Sequence, residues 1–159
     1  MSRWIAWILA GTLLSCAPAR GPVAPNGSSD AECKPPAPTP AGAYRPGWDK
    51  TGLAADLATM QADVGPSSTV SPSEAFATAK RQLDAEKWLE AAEGFRAIAK
   101  STTEARWTRQ QAQYYFAVTL YELGFFTEAG ALMRSIRATA GHPKADMATT
   151  WLHARWCDG

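Results

Sequence analysis

Apolar residues fall into three regimes along this chain. Trp4 to Leu14 is an eleven-residue apolar run with Thr12 as its polar member, Ala17 to Gly47 shows no hydrophobic period, and from Trp48 onward apolar positions recur at helical spacing. Within 48–64, Leu53, Leu57, Met60 and Val64 stand at i, i+4, i+7 and i+11, one stripe of a short amphipathic helix that Gly65-Pro66 ends. A helix of that length is marginal alone in water, so its stripe must dock on the domain behind it or on a partner. Packing on the domain is the simpler reading. Beyond Ser71 the pattern predicts five helices, over 72–85, 88–100, 104–123, 127–140 and 143–157. Ser71-Pro72-Ser73-Glu74 reads as a capping box with proline at the first helical position, and Ser101-Thr102-Thr103-Glu104 as a second. Gly141-His142-Pro143 ends one helix and starts the next. No alternating Val/Ile/Thr run bounded by hairpin turns occurs, so the expected fold class is all-α.

Two of the predicted helix pairs repeat one pattern. Trp88, Ala91, Phe95 and Ile98 align with Phe126, Ala129, Met133 and Ile136 at an offset of 38 residues. This resembles the tetratricopeptide repeat, a helix-turn-helix in which small residues at the crossing let two helices approach and large ones fill the groove between them. Residues 110–141 carry Ala117 at the small position of the first helix, Gly124 at the turn, and Phe126, Ala129 and Met133 on the second. Residues 72–105 carry Ala79, Ala91 and Phe95, with Glu86 where glycine is commoner. The resemblance implies antiparallel helix hairpins stacked as a short solenoid over 71–159, about two repeats with 143–157 as a capping helix. It also implies a partner-binding groove along the first helix of each unit. That places Phe76, Lys80, Leu83 and Asp84, then Tyr114, Val118, Tyr121 and Glu122, and finally Leu152 and Trp156 on the groove. The run Tyr114-Tyr115-Phe116 cannot all face one way, so at least one of its rings belongs to the core.

The N-terminus reads as an address. Arg3 followed by the apolar run is a secretory signal, since eleven helical residues cover about 16 Å, roughly half a hydrocarbon core. Leu13-Leu14-Ser15-Cys16 resembles the lipobox of bacterial lipoproteins, in which the cysteine is lipidated and becomes the new N-terminus. The resemblance implies a signal over 1–15, thioether-linked lipid and an acylated amine, such as palmitate, on Cys16, and a membrane-anchored protein. Ala17 after the cysteine leans toward the outer membrane, facing the periplasm in a diderm organism. Two or three acyl chains on one residue hold a protein at a membrane surface without spanning it. Residues 16–47 carry eight of the eleven prolines and almost nothing that forms a core, so they are expected to be a disordered spacer.

Charge narrows the function. The chain has 16 Lys+Arg against 15 Asp+Glu, with no basic block, which excludes the electrostatic footprint of a nucleic-acid binder. Cys33 and Cys157 remain once Cys16 is lipidated, and an exported pair is free to form a disulfide. Two free thiols, or bridges to other chains, are equally open. His153 and Cys157 at i, i+4 provide two metal ligands, too few for a closed site, and no phosphate loop, nucleophile elbow or zincin motif occurs. No catalytic residue, metal or cofactor is therefore expected, and the chain is not expected to be an enzyme. The expected function is a lipid-anchored adaptor that binds a cell-envelope protein or peptide through the groove, in the assembly of an envelope complex. The alternative is a non-catalytic accessory subunit of a peptidoglycan-acting enzyme.

Overall fold

Ser73 and the residues after it show how the helices start. In the computed structural model, which describes residues 35–157, the Ser73 hydroxyl accepts from Phe76 N–H at 3.3 Å and caps a helix over Glu74–Asp84, leaving Pro72 just outside it. Six α-helices follow a 3-10 turn at Ala41–Ala43: α1 (Lys50–Gln61), α2 (Glu74–Asp84), α3 (Trp88–Ala99), α4 (Arg106–Glu122), α5 (Phe126–Ala138) and α6 (Ala145–Trp156). Among the described residues the β-structure is a single isolated bridge, Arg45 to Trp48, so the chain is all-α. No helix among these residues is long and apolar enough to cross a membrane.

Each helix from α2 to α6 packs on its neighbours in chain order. Their shared core includes Phe95, Phe116, Leu120, Phe125, Leu132, Met133, Ile136 and Leu152. Gly94 marks the close crossing of α2 and α3, because a Cβ there would lie 2.9 Å from the Ala79 Cβ. The Ser101 expectation is corrected. Its hydroxyl accepts from Thr103 and Glu104 N–H and closes a turn, and α4 starts later, at Arg106, with no side-chain cap.

The 38-residue offset is also an offset in backbone geometry. After α2, Ala85, Glu86 and Lys87 adopt φ of −91°, +57° and −81°; after α4, Leu123, Gly124 and Phe125 adopt −81°, +86° and −84°. Both turns close with the same pair of bonds. Glu86 N–H reaches Leu83 O and Lys87 N–H reaches Gln82 O at 3.0 and 2.9 Å; Gly124 and Phe125 reach Tyr121 O and Leu120 O at 3.0 and 2.8 Å. This is the Schellman arrangement, which consumes the orphan carbonyls of a helix end and needs a left-handed residue.

α1 packs on α5. Asp49 caps it through Gly52 N–H, and Leu53, Leu57 and Met60 are buried. The stripe expected from sequence stops there: the helix ends at Gln61 and Val64 is 56% exposed. Polar contacts finish the seam. Buried Asp56 pairs with Arg96 of α3 and with Lys100 just past its end, and Asp63 with Arg106 and Arg109 at the start of α4. Gln113 Nε2 donates to Met60 O at 3.2 Å and Gln110 Nε2 to Gly65 O at 2.9 Å.

The expected spacer also changes character before it ends. Thr39 N–H donates to Thr127 Oγ1 and Thr127 N–H to Thr39 Oγ1, at 3.1 and 2.9 Å, where α5 begins. The Tyr44 and Thr39 hydroxyls both donate to buried Glu128. Tyr44 meets Phe125 edge-on, and Trp48 sits between Phe116 and Phe125. Residues 39–48 are thus a strap fastened by aromatic burial and hydroxyl bonds, because Tyr44 and Trp48 supply the apolar area that the prolines lack. The expected signal at 1–15, the lipidation site Cys16 and the first part of the spacer, including Cys33, lie outside the described residues.

Candidate binding cleft

The cleft is built by α4 and α6. On α6, Met147, Trp151 and Arg155 stand at i, i+4 and i+8, and Asp146, Thr150 and Ala154 form the adjacent row, so both rows share one face of the helix. The opposite face carries Ala148 and Leu152 into the core. Tyr114 of α4 supplies the facing wall, and together these seven residues line an open cleft of about 430 Å³.

Behind the lining lies a network of rings. Trp151 stacks on Trp156 with centroids 5.2 Å apart, and both meet Tyr121 edge-on, which in turn meets Phe126. Trp156 is set by Gly130 of α5, where a Cβ would come within 2.8 Å of the indole. At the other end, Tyr115 stacks on Phe95, and Tyr114 meets Tyr115 edge-on. Burial raises the Tyr114 pKa, with Tyr115 adding to the effect, so its phenol stays neutral.

Cations lie over these rings. Lys80 and Lys144 Nζ stand 5.2 and 5.4 Å from the Tyr115 centroid, and Arg155 stands 4.9 Å from that of Tyr121. Such contacts order a long side chain that would otherwise lose rotamer freedom only on binding.

The structure sorts the sequence-predicted groove residues into three groups. Tyr114 lines the cleft. Tyr121 and Trp156 back it, while Lys80 lies over Tyr115 with its charge matched by Asp84 at 2.7 Å. The rest are placed elsewhere. Leu152 is fully buried core, Phe76 is buried against Phe95 and Tyr115, and Leu83 and Val118 are half-buried on the core. Glu122 is exposed at the end of α4, away from the lining. Of the run Tyr114-Tyr115-Phe116, the first faces the cleft, the second wedges into the core rim and the third is core. Sequence reasoning missed Met147, Thr150, Trp151 and Arg155, although their i, i+4 spacing on the last helix was a signal in plain view.

Other chemistry-bearing groups stand apart. His142 is buried, its Nδ1 accepts from Lys144 N–H at 3.1 Å, and its Nε2 finds no partner among the described residues. Burial lowers its pKa to about 4, with Asp63 opposing that shift and Lys144 reinforcing it. Cys157 is disulfide-bonded, and Cys33, for which the sequence leaves that pairing open beside free thiols and bridges to other chains, lies outside the described residues. Among the described residues no three His, Cys, Asp or Glu side chains gather as metal ligands. Comparison with protein families, with curated proteins and with solved structures finds no match.

Proposed function

We propose that this chain is a lipid-anchored adaptor of the bacterial cell envelope. Cys16 carries the anchor, the proline-rich segment spaces the helical body from the membrane, and a tetratricopeptide-like groove holds a segment of a partner protein. The observation that carries the reading is the cleft itself. It opens between α4 and α6, the first helices of successive units, and aromatic and thioether side chains line it where a free-standing body would present polar ones. The second helices, by contrast, are occupied, since α1 packs on α5 and pairs its Asp56 with α3. The matching Schellman turns support a repeated hairpin unit. Large rings with polar edges are the side chains that dominate protein-binding hot spots.

A photo-crosslinking residue placed at Thr150, in the cleft, and at Ala97, exposed on α3, tests the reading in the native envelope. A discrete protein adduct from position 150 alone is the expected result. Adducts of equal yield from both positions, or retention by glycan with no protein adduct, overturn it. Cys16→Ala should move the protein to the soluble fraction, and continued membrane association refutes the anchor.

A further inference from the structure

The charges around the cleft specify what it holds, an inference that rests on the adaptor reading. Among the described residues Lys144 and Arg155 make no ion pair, and each is laid over tyrosine: Lys144 Nζ is 5.8 and 5.4 Å from the Tyr114 and Tyr115 centroids, and Arg155 Cζ is 4.9 Å from that of Tyr121. Lys144 Nζ also donates to Met147 Sδ at 3.2 Å. None of these partners neutralises a charge. A cation resting on a ring face keeps its outward N–H groups for an anion, and because it is already ordered, less entropy is lost when that anion arrives.

Spacing adds a dimension. Lys144 directly precedes α6 and Arg155 lies in its last turn, so their attachment points are about 16 Å apart at 1.5 Å per residue. Met147, which is 43% exposed, and Trp151 make an apolar floor between them, with Tyr114 as the wall. An extended chain covers the same span in about five residues at 3.3 Å each. The lining has one acidic side chain, Asp146, in the first turn of α6. It stands two residues from Lys144 and weakens the pull of that end on an anion, so its charge works against the acidic ligand and Arg155 holds the stronger of the two sites.

We infer that the cleft binds an extended segment of the partner with two carboxylate side chains about five residues apart around an apolar centre. The carboxylates pair with Lys144 and Arg155, and the apolar centre lies over Met147 and Trp151. The expected source is an acidic stretch of a protein.

The test is fluorescence anisotropy on the mature chain. Its probes are labelled octapeptides with two glutamates five positions apart around a leucine-aromatic centre, the same peptides with lysines for glutamates, and an alanine-centred acidic control. The acidic apolar peptide should bind at least about tenfold more tightly than either comparison peptide, and added salt should weaken it. Lys144→Glu with Arg155→Glu should reverse the preference toward the lysine peptides, Asp146→Asn should tighten acidic binding, and Trp151→Ala should erase the advantage of the apolar centre. Circular dichroism at matched protein concentration checks that each variant is folded. No binding by any peptide, equal binding of acidic and basic peptides, or no reversal in the folded double variant overturns the inference. A cleft-specific adduct from Thr150 together with any of these failures leaves the adaptor reading standing and removes only the acidic ligand; loss of both removes the adaptor reading too.

Discussion

Leu53 and Val64 occupy the same stripe of the hydrophobic pattern, yet the structure gives them opposite fates. Leu53 is wholly inaccessible beneath α1, and Val64 is 56% exposed beyond the helix end. Leu53→Ala removes about three carbons' worth of burial, near 2.4 kcal/mol at ~0.8 kcal/mol per CH₂. The cavity left behind adds to that, for a total of about 3–5 kcal/mol. Val64→Ala, touching nothing buried, should fall within about 0.5 kcal/mol of wild type. At this chain length one kcal/mol moves the melting temperature roughly 4 °C, so the Leu53 variant should melt at least about 10 °C lower. Urea unfolding followed by tryptophan fluorescence measures both effects, and Trp48, packed between Phe116 and Phe125, reports on the seam that α1 helps to close. The slope of the transition should be unchanged, since the same surface is exposed on unfolding. Equal shifts for the two variants, or a Leu53 effect below about 0.5 kcal/mol, would refute the docking of α1 and leave the stripe free for a partner.

Three further predictions follow from buried or strained groups. The folded-state pKa of His142 is held near 4 against an ordinary 6.5, so stability is intact above pH 6.5 and is lost as pH falls toward 4, by about 3 kcal/mol in all. His142→Gln should flatten that limb when urea midpoints are compared at pH 7 and pH 4.5, and parallel pH dependences would count against it. Tyr44→Phe strips buried Glu128 of one of its hydroxyl donors and should cost about 1.5–3 kcal/mol, with limited proteolysis cutting first within the strap; an unchanged digestion pattern would show that the hydroxyl does not fasten it. Glu86→Gly should stabilise by about 0.5–1 kcal/mol by relieving a left-handed residue with a Cβ, whereas Gly124→Ala should destabilise by about 1–2 kcal/mol, and shifts of the same sign would refute the equivalence of the two turns.

The helical class and the order of helices 72–157 were legible because their apolar residues obey one period and their turns carry punctuation. Boundaries were less so. Ser71 and Ser101 both stand three residues before a glutamate, but the cap of α2 forms at Ser73, and Ser101 folds its hydroxyl onto the N–H groups of Thr103 and Glu104 and delays α4. Such a local bond competes with helix initiation at no cost in composition, so sequence alone does not choose between them. Of the residues that line the cleft only Tyr114 was legible. Position within a repeat unit grouped Tyr114 and Tyr121 with Leu152 without deciding which face of α6 is buried; the structure sets Tyr114 on the cleft, Tyr121 behind it and Leu152 in the core. Gly130 decides that question: its missing Cβ admits the Trp156 indole, which turns Leu152 inward and Trp151 outward.

What stayed hidden was the polar part of the interior. Gln110, Gln111 and Gln113 on α4 look like a solvated row, and all three are buried. Two of them face the C-terminal end of α1 and the loop after it, where backbone carbonyls run out of helical donors, and they donate to Asp63 O and Gly65 O and add a second donor to Met60 O beside Asp63 N–H. The Ser67 hydroxyl in turn donates to Gln110 Oε1 at 2.7 Å, so both ends of that amide are used. A leucine at position 113 would keep the apolar area and remove one of the two donors to Met60 O, which also accepts from Asp63 N–H at 3.1 Å, at a cost of about 0.5–1.5 kcal/mol. The same reasoning explains Asp56, whose carboxylate would be prohibitive under α1 without Arg96 and Lys100 beside it. These side chains are selected by the backbone groups and charges of distant segments, and that information exists only once the chain has folded back on itself.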